Sequence, residues 1–238
     1  MGLKRTRASV AILRMNIAII PARDGSKRIK NKNIKLFFGK PIITYAIKTA
    51  IESKIFDRII VSTNSNKIKN IAIESGAEVP SLRPNNLSDD FTTTLDVISY
   101  EVKNLGLSDD DIVCCIYPTT PLLDSRFLKA GLKKLKKDSY CFSACAFNSN
   151  PLRGFYIRDE RLYLLNKNFI NCRTQDIENI YFDAGAFYFG YVKSFADKKP
   201  IFSEDSTLII LPEINVADIN TQNDWKIAEM KYKIICKQ

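Results

Sequence analysis

The 238-residue chain contains no histidine. That excludes Ser-His-Asp triads, zinc sites built on imidazole, and any step that uses imidazole as general base. Its chemistry must rest on carboxylates, lysines, arginines, hydroxyls or a metal held by oxygen. No stretch approaches the roughly 18 consecutive apolar residues needed to cross a bilayer, so no membrane partner is expected. The six cysteines, Cys114, Cys115, Cys141, Cys145, Cys172 and Cys236, form no CxxC pair. They read as small buried hydrophobes in a reducing cytoplasm, which is the expected location. Neither an internal repeat nor a linker-like tract divides the chain into independent domains.

What is present is positive charge. Lysine and arginine number 36 against 26 acids, a formal net charge of +10. Such a balance points to an anionic partner: nucleic acid, a membrane surface or a phosphorylated small molecule. Residues 1–14 carry Lys4, Arg5, Arg7 and Arg14 without an acid. Their apolar part is too short for a signal-peptide core, so they read as a disordered extension outside the fold. The fold is then expected over 15–238.

Short apolar runs at 16–21, 57–63, 111–117, 139–146, 186–191 and 207–212 alternate with helix-period segments at 41–53, 65–75, 93–105, 124–137 and 221–235. Alternation with short connections predicts an α/β fold, a mostly parallel Rossmann-like sheet with helices on both faces. The rhythm breaks over 148–183, which is rich in Asn, Arg and aromatic residues. A hairpin is predicted there, from strands at 155–158 and 162–165, within an inserted strand-rich subdomain.

The loop leaving the first strand holds Arg23, Lys27, Arg28, Lys30 and Lys32, with Gly25 and Ser26 between them. Open α/β sheets bind ligands at this end of their strands. Glycine permits close backbone approach, and the cations can neutralise a polyphosphate. The loop is neither GxxxxGK[ST] nor GxGxxG. On charge alone a solvated basic loop explains it equally well.

The pattern is more specific than the charge. Ala22, Arg23, Gly25, Ser26, Lys27, Lys32 and Asn33 resemble the signature of the sugar-acid cytidylyltransferases, the family of CMP-sialic acid synthetases. Asp24 stands where many members carry glycine. The likeness runs over essentially all of 15–238. It takes in Arg83-Pro84 with Leu87-Ser88-Asp89-Asp90 and the threonines at 92–94. It continues through Tyr117-Pro118-Thr119-Thr120-Pro121-Leu122, Arg173 and Gln175, Gly185 to Tyr188, and Asp218-Ile219-Asn220-Thr221. Read singly, several of these have plainer explanations: 92–94 could cap the next helix, Pro118 and Pro121 could punctuate a loop, and Asp218 could cap the last helix. Tyr117, where sialic acid enzymes place Gln, and Asp183-Ala184-Gly185 resemble the branch that acts on pseudaminic acid.

The resemblance implies a nucleotide-diphospho-sugar transferase type of fold and a reaction in which CTP gives CMP to the anomeric hydroxyl of a nine-carbon 2-keto sugar acid. Pyrophosphate is released, and the sugar is activated for surface glycan or flagellin glycosylation. It implies catalytic roles for Arg23, Lys27, Lys32 and Asp218. Nucleotide contacts fall on Ala22, Arg23, Gly25, Ser26, Lys27, Lys32, Asn33, Arg83 and Thr94. Sugar contacts fall on Tyr117, Thr119, Arg173, Gln175 and Tyr188. A Mg²⁺ cofactor falls on Asp218 and Asn220, with Asn220 replacing a carboxylate and so weakening any second metal. It also implies a homodimer built through 148–183. Two alternatives stay open at this point. One keeps the chemistry with N-acetylneuraminic, legionaminic or the eight-carbon acid. The other is a basic nucleic-acid-binding protein, although no nucleic-acid motif is found.

Overall fold

The computed structural model describes residues 14–236. The extension expected over 1–14 lies outside them, apart from Arg14. In chain order the elements are β1 (Asn16–Pro21), β2 (Leu36–Phe37), β3 (Lys40–Pro41), α1 (Ile43–Ser53), β4 (Arg58–Ser62) and α2 (Asn66–Glu74). Then come α3 (Thr94–Asn104), β5 (Ile112–Ile116), α4 (Ser125–Lys134), β6 (Tyr140–Ala146), β7 (Phe155–Arg158) and β8 (Arg161–Leu164). The chain closes with β9 (Tyr181–Tyr191), α5 (Val192–Ala196), β10 (Thr207–Ile210) and α6 (Gln222–Ile235).

The main sheet runs β10-β6-β9-β5-β1-β4. β1 pairs in parallel with β4 and β5, and β10 in parallel with β6, whereas β9 is antiparallel to both neighbours. Strand alternation divides the core. Ala18, Ile20, Cys114 and Ile116 pack with Ile43, Ile47, Ile68 and Leu128 from α1, α2 and α4. Ile17, Ile19, Val113 and Cys115 pack on the other face with Ile98, Val102, Val192 and Phe195 from α3 and α5. Burial on both faces is why β1 and β5 are continuous apolar runs rather than alternating ones. A third cluster joins Phe37 and Ile42 to Trp225 and Ala228 of α6.

Helix starts follow their caps. Thr93 and Thr221 each form a capping box with the acid three residues on, Asp96 and Asp224. The plain capping explanation of 92–94 therefore holds for Thr93, while the last helix is capped by Thr221 and not by Asp218.

Three expectations are corrected. α4 ends at Lys134 instead of 137, because Leu135 turns extended. The short helix α5 has no counterpart in the apolar periodicity. β9 begins at Tyr181, five residues before its expected start at 186, and so reaches into the segment read as inserted. The cause is a bulge opposite it. The β6 register shifts between Phe142 and Ala144, and the buried Ser143 hydroxyl accepts from the Ala186 and Phe187 amides at 3.0 and 3.1 Å. Gly185, at φ 59, supplies the local bend. The strand thus continues through Asp183-Ala184-Gly185, which look like a break.

The predicted hairpin is present as β7 and β8, joined by Asp159 and Glu160 at φ 49 and 59, the two-residue turn whose twist suits a hairpin. Both strands are largely exposed. The cysteine reading holds for Cys114, Cys115, Cys141 and Cys145, which are buried. Cys172 is only partly covered and Cys236 is exposed; all six are free thiols. Among the described residues no helix is long and apolar enough to cross a membrane.

Candidate active site

The carboxyl ends of β1 and β5 open on a cavity of about 750 Å³. Five segments line it: the loop after β1, the stretch from Arg83 to Val97, the turn after β5, Asp183 to Tyr188 of β9, and Ala217 to Asn220. Of the residues singled out from sequence, Arg23, Ser26, Lys27, Lys32, Asn33, Arg83, Thr94, Tyr117, Thr119, Tyr188, Asp218 and Asn220 all line it. They come from sequence positions nearly 200 residues apart.

One wall is charged. Arg23 and Lys27 both grip Asp90, Nη2 to Oδ1 at 2.6 Å and Nζ to Oδ2 at 2.5 Å. The hydrogen bond from Lys27, then that from Arg23, holds the Asp90 carboxyl below the usual carboxylate range. Lys32 donates to the Ile219 carbonyl at 2.7 Å. That ties the loop after β1 to the segment between Asp218 and Asn220. Burial, then the nearby Arg28 guanidinium, pulls the Lys32 ammonium below its ordinary value. The buried Asn33 spends its amide N–H on the Arg23 carbonyl at 2.9 Å, so it holds the loop from beneath.

The facing wall is phenolic. Tyr117 and Tyr188 lie with ring centroids 5.5 Å apart. The Tyr117 hydroxyl meets the Thr94 hydroxyl at 2.9 Å. The Tyr188 hydroxyl donates to Asp183 Oδ2 at 2.6 Å, and Asp183 Oδ1 accepts from the Gly185 amide at 2.9 Å. Burial raises both phenols above the ordinary tyrosine value, and for Tyr188 the adjacent Tyr117 adds to it. Both are neutral at physiological pH. The Thr120 hydroxyl donates to the Tyr117 carbonyl at 2.8 Å and fixes the turn that presents Thr119.

At the cavity's third side stand Asp218, exposed, and Asn220, half-buried. Among the described residues no group of three or more His, Cys, Asp or Glu could hold a metal by itself. One carboxylate and one amide oxygen fit Mg²⁺, which keeps several waters and takes its remaining ligands from substrate phosphates. They would not fit a metal that needs an all-protein cage.

Four expected site residues are not in the cavity lining. Ala22 is fully buried, and its amide already donates to the Ser62 carbonyl at 2.8 Å. Gly25, at φ 84, makes the loop's turn, but its amide is taken by Asp24 Oδ1 at 2.8 Å. Asp24 is exposed and stays out of the lining. Arg173 and Gln175 lie on an exposed turn beyond the hairpin, where Arg173 is paired with Asp176 at 2.8 Å. Within one chain they do not reach the cavity.

Sequence reasoning missed the roles of Asp90, Asp183, Ser62 and Glu101. Asp90 and Asp183 stand inside quoted motifs, and an acid facing a loop of cations was a usable signal for Asp90. Ser62 and Glu101 carry no signal, because their pairing spans 39 residues, from the end of β4 to the buried face of α3.

Comparisons with known proteins point to one family. The family profile described as Cytidylyltransferase matches residues 17–195. A pseudaminic acid cytidylyltransferase of Campylobacter jejuni is 38% identical over 224 residues, which cover 92% of this chain and 97% of the relative. A Helicobacter pylori protein, named as pseudaminic acid cytidylyltransferase and UDP-2,4-diacetamido-2,4,6-trideoxy-beta-L-altropyranose hydrolase, is 38% identical over 92% of this chain. The chain spans 45% of the length of that relative. Among solved structures, a CMP:2-keto-3-deoxy-manno-octonic acid synthetase complexed with CTP superposes with a TM-score of 0.66 at 12% identity, over 94% of this chain and all of that one. That likeness speaks for the fold alone.

Proposed function

The chain belongs to the cytidylyltransferase family, and from that premise we propose that it transfers CMP from CTP to the anomeric hydroxyl of pseudaminic acid and releases pyrophosphate. The sugar oxygen attacks the α-phosphorus while the bond to the β-phosphate oxygen breaks in line. Such transfers depend on positioning and on charge stabilisation rather than on covalent chemistry by the protein. Arg23 and Lys27, released from Asp90, hold the triphosphate and then the departing pyrophosphate. Lys32 adds a third cation and keeps Asp218 in place through Ile219. Asn33, Arg83 and Thr94 form the base and ribose side. Asp218 and Asn220 would hold a Mg²⁺, which would supply charge neutralisation for the phosphates and lower the pKa of the sugar hydroxyl, whose proton then leaves to solvent. No histidine is then needed.

The observation that carries the choice of sugar is the phenolic wall. Pseudaminic acid ends in a methyl group and bears two acylamido groups. The faces of Tyr117 and Tyr188 offer apolar contact, and Tyr117 hydroxyl, Thr119 and Asp183 offer polar contact at the edge. Relatives that act on this sugar support the same reading. The test is CTP-dependent pyrophosphate release across pseudaminic, N-acetylneuraminic, legionaminic and the eight-carbon acid. Pseudaminic acid should lead, with N-acetylneuraminic acid slower by about 10²-fold. A preference for N-acetylneuraminic acid would overturn the sugar and leave the family intact.

Arg173 and Gln175 enter this reading through a second copy of the chain. Phe155, Ile157, Leu162 and Leu165 are all more than half exposed on and beside the hairpin. An apolar patch of that kind marks an interaction surface. A homodimer formed there would carry Arg173, with its planar fork for a carboxylate, to the partner's cavity. Light scattering should find a dimer at working enzyme concentration; a monomer would remove both residues from the site.

A further inference from the structure

A buried charge pair stands behind the cavity, and no step above uses its acid. Arg83 and Glu101 are each 4% exposed. Ser62, at the end of β4, lies between them. Its hydroxyl donates to Glu101 Oε1 at 2.6 Å and accepts from Arg83 Nη1 at 3.2 Å. Arg83 Nε is taken by the Ser88 hydroxyl at 3.1 Å, and the Arg83 backbone amide donates to the Thr63 carbonyl at 2.7 Å. Nη2 is the one guanidinium nitrogen without a partner among the described residues, and Arg83 lines the cavity.

A serine hydroxyl has a single proton. Glu101 takes it, so only lone pairs face Arg83. With the carboxylate's charge removed the acceptor weakens, the hydroxyl can turn, and the guanidinium would lose one of the two contacts that fix its plane. The electrostatics run the same way. Burial pulls the Arg83 charge down and the Glu101 carboxylate supports it; burial pushes Glu101 up, and the Ser62 hydrogen bond and Arg83 draw it back. Each charge is tolerated inside because the other is there.

We propose that Glu101, acting through Ser62, is the positioning residue that fixes Arg83 for reading the edge of cytosine. Base selectivity then passes through a carboxylate that touches no substrate. The inference rests on the reading of Arg83 as a base contact. Cytosine presents O2 and N3 as neighbouring acceptors, whereas uracil puts an N–H donor at N3. Nη2, held in plane, donates to cytosine N3 and opposes the N–H that uracil carries there. A loosened guanidinium tilts away from that clash and discriminates less.

The test compares full-length parent enzyme with Arg83→Lys, Glu101→Gln and Ser62→Ala. CTP and UTP are each assayed by pyrophosphate release with pseudaminic acid, and by calorimetric binding in the presence of Mg²⁺. Glu101→Gln should raise KM for CTP about tenfold with kcat within about twofold, the pattern of weakened ground-state binding. It should lower the CTP-over-UTP preference by a similar factor. Ser62→Ala should do the same, and it is the deciding variant if Glu101→Gln does not fold. Damage to the fold alone would lower kcat for both nucleotides and leave the preference unchanged. An unchanged preference in Glu101→Gln and Ser62→Ala, beside a lowered one in Arg83→Lys, overturns the inference and keeps Arg83 as the base contact. An unchanged preference in all three overturns both.

Discussion

The two walls of the cavity are built from different materials. The charged wall consists of long side chains that keep much of their exposure; the Lys27 side chain is 81% exposed. It is held together by a replaceable partner, Asp90. The phenolic wall is more enclosed, Tyr188 buried and Tyr117 partly so, and each hydroxyl has a fixed neighbour, Thr94 for Tyr117 and Asp183 for Tyr188. The difference suits the two halves of the proposed reaction. A triphosphate brings its own charge and displaces a carboxylate, so its wall must give. A neutral sugar face brings little energy of its own, so the wall that recognises it must be set in advance.

Damage to the charged side should therefore act on the chemical step, and the largest effect belongs to Asp218, the carboxylate that would hold Mg²⁺ in the proposed reaction. Asp218→Asn should abolish Mg²⁺-dependent turnover while thermal unfolding stays near that of the parent, because Asp218 is exposed and caps no helix. Turnover that survives with an unchanged Mg²⁺ titration would remove Asp218 from the site. Next in size, Arg23→Ala and Lys27→Ala should each lower kcat/KM by roughly 10²-fold, the scale of a lost preorganised charge contact. Steady-state kinetics at fixed ionic strength decides this. Normal kinetics in both variants would mean that Asp90 is their only partner and that the comparison of the two walls is wrong.

The charged wall was more legible in the sequence than the phenolic one, and the reason is distance along the chain. Arg23, Ser26, Lys27, Lys32 and Asn33 sit within one loop, so their types and spacing could be read together. β1, α1 and the hairpin were legible for the same reason, since each is defined by a local period or a short turn. Asp90 lies more than 60 residues from the cations it holds. The fold brings those segments together: β1 pairs in parallel with β4, and the Arg83 amide on the Thr63 carbonyl ties the Asp90 stretch to the end of β4. The course of β9 past Gly185 depends on the Ser143 hydroxyl, 43 residues upstream. Local pattern reports a glycine there and nothing of the hydroxyl that lets the strand continue. Arg173 and Gln175 were legible as a motif, but their distance from the cavity was not.

On the phenolic side the expected effects are smaller and fall on selectivity. Tyr117→Gln replaces a flat apolar face by an amide and breaks the contact with the Thr94 hydroxyl. The preference for pseudaminic over N-acetylneuraminic acid should shrink from about 10²-fold to about tenfold. The loss of kcat/KM with pseudaminic acid should be smaller than that caused by Lys27→Ala. Competition between the two sugars in one reaction measures the ratio directly. A ratio that does not move would assign sugar choice to Tyr188 or to residues from the partner copy.

The smallest expected effect tests whether the phenolic wall is set by the helix beneath it. Thr94, which meets Tyr117, is the first residue of α3, and Thr93 and Asp96 close the capping box that starts that helix. Lys198 also binds Asp96, at 2.5 Å. The hydrogen bond from Lys198, then those from Thr93, draws the Asp96 carboxyl down to about 2. An unfolded aspartate titrates near about 3.9, so the folded state binds its proton less readily. Asp96 therefore stabilises the fold fully above about pH 4, and that contribution is lost as pH falls through about 2. Asp96→Asn should cost about 1 kcal/mol at pH 7, the scale of a helix cap. In urea unfolding, the gap between variant and parent should close between pH 4 and pH 2. Sugar selectivity should soften with it at pH 7, and KM for CTP should rise modestly too, because Thr94 also stands on the nucleotide side. If stability falls and selectivity does not, the Thr94–Tyr117 contact is held by the sheet through β5, and the helix cap serves α3 alone.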